Sequence, residues 1–187
     1  AGYIGLEIGT AFAKLGAKVT VVEAEKCILP LWDEALTRPG AARLAKLGVD
    51  VHLASRATGR NDDGLTVESA DGGARTIACD KILVTVGRRP RTRAIGLDEL
   101  DLTMSGAFIE VDDTCRTSMR GVFAIGDVTG EPMLAHRAMA QGEMVAEIIA
   151  GQNRAWDRTC IPAVCFTDPE IVSAGVSPDE AKARGLA

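Results

Sequence analysis

The chain has 187 residues, 47% apolar and 25% charged, a globular make-up that excludes a disordered tail, collagen or a coiled-coil rod. Lys and Arg number 21 against 26 Asp and Glu, and this net charge of −5, with only 4% aromatic residues, excludes a phosphate-neutralising or base-stacking nucleic-acid binder. No apolar run approaches the ~20 residues of a membrane helix. The five cysteines (27, 79, 115, 160 and 165) are odd in number and contain no C-x-x-C pair, which points to a reducing compartment. With only two histidines, a zinc site is not expected. Residue 1 is Ala and the opening residues read as the middle of a motif, so the sequence is expected to be an internal piece of a longer chain.

In chain order, residues 5–15 read as a helix with Ile8, Phe12 and Leu15 on one stripe and Gly16 at its end. Residues 18–23 (KVTVVE) read as a β-branched strand. A second helix covers 33–47, disturbed at Pro39-Gly40. A strand follows at 49–53. This strand–helix alternation predicts an α/β fold with a parallel sheet. Short strands at 64–70 and 74–79 flank the turn Asp71-Gly72-Gly73, a hairpin signal. Residues 81–86 read as a buried strand, stopped by Gly87-Arg88-Arg89-Pro90. An irregular stretch follows, with strands at 108–111 and 122–125, the latter ended by Gly126-Asp127. A helix spans 134–150, with Leu134, Ala138, Val145 and Ile149 on one stripe and Gly151 closing it. Residues 161–166 read as a strand. Ser177 caps a last helix with Pro178 at its first position.

The strongest chemical signal is at the start. The dinucleotide fingerprint G-x-G-x-x-G opens a helix and carries an acidic residue about 20 positions on. Gly2 and Gly5 fit its second and third glycines, and Glu23 fits the acid. A glycine at position 2 lets a pyrophosphate approach the backbone, and Gly5 lets the helix pack closely on the sheet. The helix N-terminus supplies free amides and positive potential. Glu23 would accept hydrogen bonds from an adenosine ribose and repel a 2′-phosphate, which favours NAD over NADP. Gly-rich turns without a nucleotide have the same glycines, and the helix dipole alone favours an acid such as Glu7 in the first turn.

Several segments together resemble one family. Gly2-Tyr3-Ile4-Gly5-Leu6-Glu7, Val84-Thr85-Val86-Gly87-Arg88-Arg89-Pro90, Ala124-Ile125-Gly126-Asp127-Val128 and Met133-Leu134-Ala135-His136 occur in this order in the flavin-dependent pyridine nucleotide-disulfide oxidoreductases. The Met-Leu-Ala-His stretch resembles the dihydrolipoamide dehydrogenase branch, closest to the bacterial branched-chain keto-acid type. Residues 161–175 look like the start of the family's dimerisation domain. The resemblance implies a Rossmann-like NAD-binding domain over 1–90 with its first strand missing. It implies the second segment of an FAD-binding domain over 91–155 and the start of an α+β dimerisation domain over 156–187.

By the same resemblance, Ala1, Gly2, Tyr3, Ile4, Gly5, Leu6 and Glu7 line the NAD pyrophosphate and nicotinamide, with Glu7 near the nicotinamide amide. Glu23 holds the adenosine ribose, Ala57 touches the adenine side, and Gly87 passes close to the NAD. Asp127 bonds the ribityl chain of FAD, and Met133, Leu134, Ala135 and His136 set the next helix against the flavin pyrimidine. The implied parent is a cytoplasmic homodimer that oxidises dihydrolipoamide carried by the acyltransferase of a 2-oxo acid dehydrogenase complex. Its electrons pass through a redox disulfide and FAD to NAD+. The redox C-x-x-x-x-C stretch and the His-Glu acid–base pair of the family are not in this sequence, so no catalytic residue is assigned and this chain alone is expected to be inactive. Cys160 and Cys165 share the spacing but flank an extended segment, which holds their α-carbons roughly 16 Å apart at ~3.3 Å per residue. A disulfide tolerates only about 7 Å. The alternatives are a related flavin disulfide reductase with another substrate, and a stand-alone NAD-binding module.

Overall fold

A computed structural model of the chain describes residues 1–186. They divide into two compact units, Ala1–Val86 together with the segment from Pro162 onward, and Gly87–Ile161.

The first unit opens with helix α1 (Tyr3–Lys14), strand β1 (Thr20–Val22), helix α2 (Glu34–Lys46) and strand β2 (Asp50–His52). β1 and β2 pair in parallel, Thr20 opposite Asp50 and Val22 opposite His52, with α2 as the crossover that a parallel pair requires. An antiparallel meander follows: β3 (Ser55–Asn61), β4 (Gly64–Ser69) and β5 (Ala74–Ile77), in that order in the sheet. The expected hairpin turn forms at 70–73, where Gly72 has φ 82° and the Asp71 carboxylate accepts from the Gly73 amide at 3.1 Å. Strands β8 (Ala163–Cys165) and β9 (Ile171–Ser173) then pair antiparallel and lead into α4 (Pro178–Ala183). Ser177 caps α4 through a reciprocal bond with Glu180. Leu6, Leu29, Leu44 and Val49 share one core with Cys165 and Ile171, so β8 and β9 pack on the same unit as α1 and α2.

Besides β3 and β9, where the sequence reading expected no strand, three details of this unit differ from it. The buried face of α1 is Leu6, Gly9 and Thr10, whereas Phe12 and Leu15 of the expected stripe are 51% and 83% exposed. Small residues let the helix approach its neighbours, and a search for large apolar residues passes over them. α2 runs unbroken through Pro39. Gly40 serves as a packing site there, because a Cβ on it would lie 3.1 Å from Ile171 Cδ1 of β9. Residues 81–86 join no ladder among the described residues, and Val84 and Val86 are 71% and 93% exposed. A strand exists only where a neighbour takes its backbone hydrogen bonds.

The second unit carries the small hairpin β6 (Met104–Ser105) and β7 (Phe108–Ile109), a 3-10 turn at Gly126–Thr129, and helix α3 (Ala135–Ile149). In place of a strand at 122–125, Phe123 makes a single antiparallel bridge with Arg116, whose guanidinium lies 5.0 Å over the Phe123 ring. Arg137, Gln141, Met144, Val145 and Ile148 form the buried face of α3, while Ile149 is 69% exposed. The buried face is rotated from the expected stripe because two of the inward residues are polar. Their apolar neighbours pack on Cys115, Phe123, Ile125 and Trp156. Among the described residues no helix is long and apolar enough to cross a membrane.

Candidate functional site

In the first unit the sequence-predicted residues gather around the start of α1. Gly2 is its N-cap, with no side-chain cap, so the first-turn amides are left for another acceptor. A Cβ built on Gly2 would meet nothing within 4 Å, which leaves the backbone open to a ligand. Gly5 is the opposite case: its Cβ would lie 2.7 Å from Thr85 Oγ1. Leu6 is 1% exposed and belongs to the core, so its side chain faces away from any ligand on the helix N-terminus. Ala1, Tyr3 and Ile4 are half-buried, and the Ala1 carbonyl accepts from the Leu29 amide at 3.0 Å.

Glu23 follows the last residue of β1. Its Oε1 accepts from the Glu25 amide at 2.9 Å, and its Oε2 lies against the Ala1 nitrogen. The acid is thus brought against the glycine turn, 22 residues away in sequence. The Glu23 carbonyl takes the Ser55 amide at 2.8 Å, which starts β3 alongside it, and Ala57 lies two residues further on, exposed at the β3 bulge. Glu7 is half-buried, and its Oε1 accepts from the Phe166 amide at 2.8 Å.

In the second unit, Gly87 is exposed with φ 133°, a backbone that disfavours side chains. Asp127 lies in the 3-10 turn, where its Oδ2 accepts from Arg88 Nη2 at 2.6 Å. The Asp127 side chain is 34% exposed, and a carboxylate accepts more than one donor, so capacity for ligand hydroxyls remains. Gly126 has φ 71°, and a Cβ there would come 3.0 Å from Ala138 Cβ. Met133 is buried, Leu134 is the uncapped N-cap of α3, and Ala135 and His136 are exposed on its first turn. An uncapped helix start favours a ligand atom that carries negative charge.

Sequence reasoning missed what holds this loop. Arg137 is 6% exposed, and its guanidinium donates to the Gly130 carbonyl, to the Pro132 carbonyl at 2.7 Å and to Thr129 Oγ1 at 2.8 Å. Gln141, one turn further and 2% exposed, accepts the Gly126 amide through Oε1 at 2.8 Å. Burial pushes the Arg137 guanidinium down, and the Asp127 carboxylate opposes that shift. The available signal was the i, i+4 spacing of these two polar residues, on the same face as Met144, Val145 and Ile148. A second missed cluster joins Lys14 and Arg43 to Asp168. All five cysteines are free thiols; Cys160 is exposed, while burial pushes the Cys165 thiol up and away from thiolate character.

Comparison with known proteins places this arrangement. The chain matches LpdA from Mycobacterium tuberculosis with a TM-score of 0.84 at 30% identity, over 98% of this chain and 40% of that one. It matches the HOCl-induced flavoprotein disulfide reductase RclA from Escherichia coli, as its Cu(II) complex, with a TM-score of 0.86 at 26% identity, over 97% of this chain and 43% of that one. The fold is therefore of the flavoprotein disulfide reductase class. The sequence profile of the pyridine nucleotide-disulphide oxidoreductases matches residues 1–142, and the chain belongs to that family. Dihydrolipoyl dehydrogenase of Pseudomonas aeruginosa is 57% identical over 185 residues, 99% of this chain and 40% of that protein. The enzyme of the same name from Geobacillus stearothermophilus is 44% identical over 189 residues, with the same coverage of 99% and 40%. The chain thus spans about 40% of the length of the relatives it matches.

Proposed function

We propose that this chain is the NAD-binding part, with the second FAD-binding segment, of a dihydrolipoyl dehydrogenase. The observation that carries this reading is the 57% identity to the Pseudomonas aeruginosa enzyme across 99% of the chain. Residues 1–90 form the NAD-binding domain, 91–155 the second FAD-binding segment, and 156–187 the start of the dimerisation domain. The whole enzyme would work in the cytoplasm as a homodimer, on dihydrolipoamide carried by the acyltransferase of a 2-oxo acid dehydrogenase complex.

The residues present fit both cofactors. Gly2 leaves an open cradle at the uncapped start of α1 for the pyrophosphate, supported by its empty Cβ position. Glu23 would hold the ribose hydroxyls, with Ala57 on the adenine side. Glu7 would meet the nicotinamide amide. Asp127 would take ribityl hydroxyls, and the first turn of α3 from Met133 to His136 would face the flavin pyrimidine. When bound, FAD supplies the transfer of electron pairs between a dithiol–disulfide couple and the nicotinamide. This chain binds and orients: its backbone amides hold phosphate, its carboxylates hold sugar hydroxyls, and Arg137 and Gln141 keep the flavin loop in place.

The full-length gene product tests the reading. Purified protein should retain flavin and reduce NAD+ with dihydrolipoamide. The second reading, a disulfide reductase for another substrate, draws on the TM-score of 0.86 to RclA. It would replace the first if dihydrolipoamide were turned over no better than other dithiols. Tight NAD+ binding with no flavin would instead favour a stand-alone NAD module.

A further inference from the structure

We propose that Asp168 is a positioning residue for the nicotinamide end of the dinucleotide site, acting through the Phe166 amide on Glu7. This rests on the reading that α1 opens an NAD site with Glu7 near the nicotinamide.

The segment after β8 is tied to α1 at two heights. At the first, the Phe166 amide donates to Glu7 Oε1 at 2.8 Å. At the second, Asp168 Oδ2 accepts from Lys14 Nζ at 3.0 Å and from Arg43 Nε and Nη2 at 3.1 and 2.9 Å. Glu7 and Lys14 are seven residues apart, two turns along one face of α1. The backbone from 166 to 168 therefore runs along that face, anchored at one end by the fully buried Cys165 of β8 and at the other by the two cations. A glutamate on a helix surface samples several rotamers, and holding it in one costs entropy. A single backbone amide on Oε1 removes that freedom only if the amide is itself fixed. Asp168 fixes it, two residues on. Among the described residues no hydrogen bond engages Glu7 Oε2, which is left to face a ligand N–H.

Asp168, Lys14 and Arg43 side chains are 33%, 49% and 40% exposed, so their ion pairs add little to global stability. Their consequence is local: they set where the Phe166 amide lies, and hence where the Glu7 carboxylate points. Lys14 and Arg43 come from different helices, α1 and α2, so Asp168 also fixes the segment in two directions.

The test uses the full-length flavoenzyme and compares NAD+ with ADP-ribose, which has the same adenosine and pyrophosphate but no nicotinamide. Asp168→Asn should weaken NAD+ about fivefold and leave ADP-ribose within about twofold, since the exposed ion pairs can pass on to the ligand no more than they are themselves worth. Arg43→Gln should shift the same ligand in the same direction, and Asp168→Glu should restore most of the loss. If Asp168→Asn weakens both ligands equally, or neither, the positioning role is wrong. Should Asp168→Asn fail to fold, equal weakening of both ligands, or of neither, by Arg43→Gln overturns the role in the same way. Gly2→Val separates this from the underlying reading. It should abolish binding of both ligands, and retained NAD+ affinity would place the dinucleotide elsewhere and remove the basis for both.

Discussion

Gly5 and Thr85 stand so close that a Cβ on the glycine would lie 2.7 Å from the threonine Oγ1. The contact sets how near α1 comes to residues 81–86. It also separates the two glycines of the turn, because Gly2 has nothing within 4 Å of its Cβ position. Gly5 answers to packing, and Gly2 is available to a ligand.

Gly5→Ala should therefore destabilise the full-length protein by about 1–3 kcal/mol, the usual cost of overpacking a close contact. Chemical denaturation measures it. Thr85→Ala combined with Gly5→Ala should recover most of the loss. Gly2→Ala should leave the denaturation midpoint nearly unchanged while weakening NAD+. Equal destabilisation by the two glycine replacements would contradict this division of roles.

Glu23 should make the site prefer NAD(H) over NADP(H). Its carboxylate, which accepts from the Glu25 amide, is ionised at neutral pH as a glutamate ordinarily is. A 2′-phosphate brought beside it meets like charge, worth about 1–4 kcal/mol at contact distance, or tenfold and more in affinity. Titration with both nucleotides should show that gap, and Glu23→Ala should narrow it mainly by weakening NAD+ and relieving NADP+. No difference in the unmodified protein would remove Glu23 from the ribose site.

Much of the local structure around α1 was legible because its signals are local. The Gly2–Gly5 spacing, the β-branched run ending at Glu23, and the α2 crossover each reflect a few neighbouring residues. The same holds for the Asp71-Gly72-Gly73 turn and the Ser177 cap. What escaped was decided at long range. Asp168 finds Arg43 at a sequence separation of 125, and nothing local marks either as a partner. The face of α3 was misread because Arg137 and Gln141 point inward, and an apolar stripe treats polar residues as outward. Residues 81–86 have strand composition, but composition cannot supply a hydrogen-bonded neighbour.

Arg137→Met should release flavin without disturbing NAD+ binding. The replacement keeps most of the buried volume and leaves two carbonyls and the Thr129 hydroxyl without their donor. These acceptors are only partly buried, so each lost bond costs about 1 kcal/mol, and the three act on one short loop. The loop should then shift towards solvent, carrying Asp127 with it. Flavin retained through gel filtration and dialysis is the readout, with NAD+ affinity as the control. Gln141→Leu, which orphans the Gly126 amide, should act in the same direction but less strongly. Unchanged flavin retention in both variants would mean that the loop does not position the ribityl contact.

The tie between the 166–168 segment and α1 should fail in acid. Hydrogen bonds from Lys14 and then Arg43 hold the Asp168 carboxyl below its ordinary value of 3.8. For a carboxyl whose folded value is depressed, the stabilisation is fully present above the unfolded value and is lost as pH falls through the folded one. Stability attributable to this group should thus be flat from pH 7 down to about 5 and decline below about 4. The size should be modest, because the group is exposed and screened. Denaturation midpoints of the full-length protein and of Asp168→Asn, measured from pH 7 to pH 3, isolate it. The two curves should be separated by a constant gap at neutral pH and converge in acid, and added salt should shrink the gap. A gap that persisted unchanged at pH 3 would show that the asparagine disturbs packing, with no contribution from the lost charge.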